Sequence, residues 1–121
     1  MVKKLKLVVL VEESVDVDKP DLLAKHGLSF LVKAKTSDGE ASVMMDAGPS
    51  PDVLLHNVDT LGIDLRKIDV VTLSHAHYDH TGGLIETLKR IEKRVPVVSH
   101  PKIFDPKFKV KPKLKFIGGP F

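Results

Sequence analysis

Three observations predict a single α/β domain, its strands grouped and its helices packed outside them. Apolar runs of strand length alternate with stretches of helical periodicity. Glycine, proline and aspartate turn signals fall between them. One apolar run, Val70-Val71-Thr72-Leu73, leads straight into Ser74-His75-Ala76-His77-Tyr78-Asp79-His80-Thr81-Gly82-Gly83, and the C-terminal ends of strands are where α/β sheets carry their sites. With 121 residues there is room for one core, so residues 1–121 form one domain.

Residues 3–11 are rich in leucine and valine, which predicts a largely buried first strand. Asp18 and Pro20 open a short helix that carries Leu22 and Leu23 and stops at Gly27. Leu28 to Lys35 and Ala41 to Met45 flank the turn Ser37-Asp38-Gly39 as a hairpin. Its second strand runs into Asp46-Ala47-Gly48-Pro49, bringing a carboxylate to a strand end. Ser50-Pro51-Asp52 starts a helix, with a capping hydroxyl, a proline in the first turn and an acid at the positive dipole end. Gly62 ends that helix. Gly83 to Arg94 is the next, with Leu84, Leu88 and Ile91 inward and Glu86–Arg90 paired outside. Val95 to Ser99 is an apolar strand ending at His100-Pro101. From Lys107 to Phe116 lysines alternate with mostly apolar residues, which reads as one edge strand containing Pro112.

Composition narrows the chemistry. There is no cysteine, which excludes a disulfide framework and a thiolate zinc site and leaves His, Asp, Glu and water as ligands. The net charge of +3 is local, because six lysines between Lys102 and Lys115 face a single acid, Asp105. The N-terminal run Met1 to Val11 is too short to span a bilayer and lacks a cleavage site, so a cytoplasmic protein without a membrane partner is expected.

The cluster itself holds three histidines and an aspartate within six positions. In an extended chain His75, His77 and Asp79 share a parity and can face one cavity, while the bend at Thr81-Gly82-Gly83 can swing His80 toward a second centre. Two divalent ions so held would share a water and make hydroxide available near neutral pH.

His75-x-His77-x-Asp79-His80 after an apolar strand resembles the signature of the metallo-β-lactamase superfamily. Within it, His26-Gly27-Leu28-Ser29-Phe30, Asp46-Ala47-Gly48-Pro49-Ser50 and Ser74–Gly83 look like the branch related to dihydropterin ribofuranosyl-aminobenzene phosphate synthase. The resemblance implies half of an αββα sandwich, a mixed sheet with helices on its outer face, truncated relative to the family. It also implies a metal-dependent hydrolase using one or two divalent ions, most often zinc, with iron or manganese as alternatives. His75 and His77 would hold the first ion, Asp79 and His80 the second. Asp79 would also be catalytic, and Asp46 would orient the site from behind or serve only as a turn residue. The family's later ligands have no counterpart here. His100 is a further candidate ligand, but its spacing does not match, and a loop histidine or a former substrate contact is preferred. Asp105, before Pro106, reads as a turn residue.

Two consequences follow. The four candidates provide two protein ligands per ion, whereas catalytic zinc usually takes three plus water. Half a sandwich also leaves an apolar sheet face open, which predicts a homodimer whose copies cover each other and complete the site for a small-molecule substrate. The competing readings are a non-catalytic metal-binding remnant and a nucleic-acid-binding protein using Lys102–Lys115. The second is disfavoured because the segment has no arginine and its alternation suits a solvated edge strand.

Overall fold

In the computed structural model, which describes residues 1–121, five strands form a mixed sheet. They are β1 (Val2–Val11), β2 (Ser29–Thr36), β3 (Gly39–Met45), β4 (Val70–Thr72) and β5 (Val97–Val98), side by side in that order. β1, β2 and β3 are antiparallel neighbours, and β4 and β5 continue the sheet in parallel with β3. A parallel neighbour needs a crossover, and α1 (Pro51–Thr60) supplies it between β3 and β4. The single turn α2 (Tyr78–Thr81) and the helix α3 (Leu84–Ile91) bridge β4 and β5.

Because side chains alternate along a strand, the sheet has two faces of different fate. One is sealed: Leu10, Leu31, Met44 and Val71 pack with Leu54 and Val58 of α1 and Leu84 and Ile91 of α3 in one core. The other is open. Cross-strand partners share a face, so the rows Leu7–Val32–Val43–Val70 and Val9–Phe30–Met45–Thr72 lie together on it. On β1, Leu5, Leu7 and Val9 are 65%, 58% and 47% exposed. The expectation of a largely buried first strand is therefore corrected: β1 is an edge strand covered on one face, and only Leu10 and Val11 are buried.

Other departures have local causes. Residues 18–27 form turns, not a helix. Asn57 of α1 holds that segment instead: its amide donates to Leu10 O at 2.7 Å and Leu23 O at 2.8 Å, and its oxygen accepts from Leu23 N–H at 2.8 Å. Ser50 occupies the position before α1 in extended conformation but makes no side-chain cap bond; its hydroxyl accepts from Lys25 Nζ at 3.2 Å. α3 stops at Ile91, short of Arg94, because Glu92 adopts a left-handed conformation with φ 61°. Glu86 pairs with Lys89 rather than Arg90, whose guanidinium reaches across to Asp59 of α1. The lysine-rich run is not one edge strand. It folds into a hairpin of β6 (Phe108–Lys109) and β7 (Lys115–Phe116), with Pro112 in the connection, and the rings of Phe108 and Phe116 meet edge to face at 5.7 Å.

Asn57 offers the first test. Its replacement by alanine strands buried backbone groups on two segments and is expected to lower unfolding stability by about 2–3 kcal/mol in urea titrations.

Candidate metal centre

The site is assembled where β3 and β4 end together. Asp46 follows β3 directly and takes a positive φ of 59°, unusual for a residue with a side chain. This twist is fixed on both sides: Asp46 N–H donates to Thr72 O at 2.9 Å, and Asp46 O accepts from the buried Ser29 hydroxyl at 2.7 Å. The carboxylate that results is fully buried.

A buried carboxylate must be satisfied by donors, and this one is. Oδ1 accepts from Ser74 N–H at 2.7 Å, and Oδ2 accepts from the Ser74 hydroxyl at 2.6 Å. Oδ2 also lies 2.8 Å from His80 Nδ1. Ser74 has one hydroxyl proton and gives it to Asp46, so its oxygen receives Nδ1–H of His75 at 2.9 Å. The network thus assigns Nδ1 as the protonated nitrogen of both His75 and His80 and leaves Nε2 of each with a free lone pair.

The backbone around the network is drawn tight. Ala47 N–H donates to His80 O at 2.7 Å, Gly82 N–H to Gly48 O at 2.8 Å and Gly83 N–H to Ala47 O at 3.1 Å. The approach requires glycine: a Cβ on Gly82 would stand 2.0 Å from Pro49 O. Gly27 has the same reason. It is not a helix stop; a Cβ there would lie 2.3 Å from Asp79 O.

The extended geometry expected through Asp79 ends earlier, because α2 begins at Tyr78. One helical turn carries Asp79 and His80 back to His75. Ligand atoms of His75, Asp79 and His80 all lie within 4.8 Å of one another, and the His75 and His80 ring centroids are 4.1 Å apart. His77 stands just before α2, outside that trio, with its ring edge-on to His75 at 4.8 Å. Burial, then the neighbouring His80 and His77 rings, holds His75 below the usual histidine pKa, which favours the neutral ring a metal requires. Two free Nε2 atoms beside a carboxylate make a donor set that suits a divalent metal ion.

His100 lies elsewhere. It caps the 3-10 turn Pro101–Phe104, its Nδ1 accepting from Lys102 N–H at 3.1 Å, and Asp105 closes that turn. A groove between β1 and the segment around Val15 and Leu22 contains none of the cluster residues. Two neighbours belong to motifs in the sequence without a role that the sequence assigns. Ser74 was only part of the motif there, yet it links Asp46 to His75. His26 places Nε2 3.1 Å from Asp79 Oδ2, and its Nδ1 abuts the Glu13 carboxylate.

The family model for the metallo-β-lactamase superfamily matches residues 24–120. The chain belongs to this superfamily. It is 33% identical over 117 residues to the 7,8-dihydropterin-6-methyl-4-(beta-D-ribofuranosyl)-aminobenzene-5'-phosphate synthase of Methanocaldococcus jannaschii, a match covering 97% of this chain and 40% of that protein. It is 31% identical over 78 residues to a hydroxyacylglutathione hydrolase of Psychromonas ingrahamii, covering 64% of this chain and 28% of that protein. Among solved structures, a metallo-β-lactamase of Novosphingobium pentaromativorans is similar at 28% identity and a TM-score of 0.44, over 58% of this chain and 25% of that one. The chain thus spans less than half the length of these relatives. Its five-stranded mixed sheet with helices on one face is the expected α/β half. The superfamily's general use of divalent metals accords with a partial His/Asp cluster of this kind. No helix is long and apolar enough to cross a membrane.

Gly82→Ala tests the tight approach: the forced shift of Pro49 is expected to destabilise the fold by about 3 kcal/mol, read by thermal or urea unfolding.

Proposed function

We propose that this metallo-β-lactamase domain contributes the motif-bearing half of a divalent-metal hydrolase site. The observation that carries the reading is the Asp46 network, which leaves Nε2 of His75 and of His80 free within the same group of donors as Asp79. His75 and His77 would hold one ion, Asp79 and His80 a second, with zinc favoured and iron or manganese as alternatives. Such an ion supplies Lewis acidity and a nucleophile at neutral pH to the hydrolysis of an ester, amide, thioester or phosphoester.

The chain's own part is orientation and proton handling. Asp46 locks both imidazoles by their Nδ1 sides, directly for His80 and through Ser74 for His75. Asp79 is the carboxylate that the cluster offers to take a proton. Similarity to a synthase and to a hydroxyacylglutathione hydrolase supports a small-molecule substrate.

Four candidates for two ions fall short of three protein ligands each. We therefore also propose that a second copy of the chain covers the open face. In support, the row that starts at the exposed Val9 runs through half-buried Phe30 and Met45 to Thr72, and Met45 is followed directly by Asp46, so a sheet laid on this face would reach the site. Light scattering at micromolar concentration is expected to give a dimer, and a stable monomer would exclude it.

Metal analysis tests the centre. The purified protein is expected to bind zinc, and His75→Ala and His77→Ala each to reduce it; metal content untouched by both changes would sink the reading. Asp46→Asn, which removes a charge and leaves the tautomers unassigned, is expected to weaken zinc binding by about 10–100-fold in chelator competition. A metal-loaded protein with no turnover on generic phosphodiesters and thioesters would mark a binding remnant instead.

A further inference from the structure

We infer that His26, braced by Glu13, is a positioning residue for Asp79, setting which way that carboxylate faces in the metal centre. The inference rests on the metal reading above and adds to it a residue on a segment remote from the motif. Two contacts bring the two segments together, and a third holds the His26 segment beside the end of β1. His26 Nε2 lies 3.1 Å from Asp79 Oδ2, while its Nδ1 is held by the Glu13 carboxylate. Leu28 N–H donates to Asp79 O at 3.2 Å, and Gly27, without a Cβ, lets the chain pass against that same carbonyl. Lys25 N–H donates to Glu12 O at 3.2 Å, which holds the segment before His26 in register with the end of β1 and so aligns Glu13 with the ring.

The imidazole is therefore held by a hydrogen bond at Nδ1, approaches Asp79 with Nε2, and is flanked by backbone hydrogen bonds at Lys25 and Leu28. Asp79 Oδ2 otherwise faces only His80 Nε2, at 3.5 Å. His26 Nε2 is thus the nearer of the two imidazole nitrogens that face this oxygen. Groups that hold a ligand from behind commonly matter to metal affinity as much as a weak ligand does. A solvent-exposed ion pair with no such role would contribute next to nothing, and the two cases separate by measurement.

The experiment uses the full chain loaded with cobalt(II) as the probe, with affinity read by chelator competition and coordination by the visible absorption bands. His26→Ala is expected to weaken cobalt binding about tenfold with the band positions unchanged. His26→Gln, which returns a polar N–H near the same place, is expected to recover most of the loss, and Glu13→Gln to lose less than His26→Ala. Thermal melts establish that each variant is folded. His80→Ala is the control for the centre itself. If His80→Ala loses cobalt while His26→Ala binds within twofold of the wild-type chain, the positioning role is overturned and the metal reading stands. The same follows if His26→Gln is as weak as His26→Ala. Bands that shift in His26→Ala would make His26 a ligand and overturn positioning. A wild-type chain that binds no cobalt, or a His80→Ala variant that binds it equally well, overturns both readings.

Discussion

The buried carboxylate of Asp46 is the constraint on which the rest of this half-domain depends. A charge taken out of water is expensive unless donors replace the solvent. Here Ser74 supplies two and His80 a third, all from the stretch that follows β4. The carboxylate therefore does two things with one set of bonds. It ties the end of β3 to the end of β4 across the sheet, and it settles which nitrogen of each histidine carries the proton. The left-handed backbone at Asp46 is the strain accepted to aim that side chain, held by Thr72 and Ser29.

From this point the fold can be followed outward. α2 has to begin at Tyr78 so that His80 can reach Asp46, and the glycines after it have to lack side chains so that the helix can sit on the Asp46–Pro49 turn. The same turn sets the origin of α1 at Pro51, whose buried face, with that of α3, closes the single core. Site and core are thus not separable layers: the hydrogen bonds that assemble the donors also place the two helices that cover the sheet.

What could be read from the sequence divides along the same line. The strands that form ladders with neighbours a few residues away, the hairpin of β2 and β3 and the helix after Pro51, carry their signals locally and were legible. So was the histidine cluster, because its density is itself the signal. Asp46 was legible only as a carboxylate at a strand end; its partners are about thirty residues away. Residues 18–27 looked helical on capping and glycine patterns, yet the glycine answers to the Asp79 carbonyl and the chain is held by Asn57, neither of which a local pattern contains. The lysine alternation suggested one strand because parity cannot show where a chain turns back on itself.

The open face follows from the same logic. β1 carries Leu5, Leu7 and Val9 on a face that the rest of this chain leaves exposed. Those residues lie in rows that lead across β2 and β3 toward the turn at Asp46. An apolar surface of this kind beside a donor set short of ligands describes one structural requirement, not two. A partner laid on this face would bury these rows and approach the turn at Asp46. Burial would lower the local dielectric at the rim of the cluster and strengthen each interaction of Asp79 and the histidines. Met45, Asp46 and Thr72 are where the apolar rows end and the polar network begins, so a partner of the proposed kind would meet the chain there.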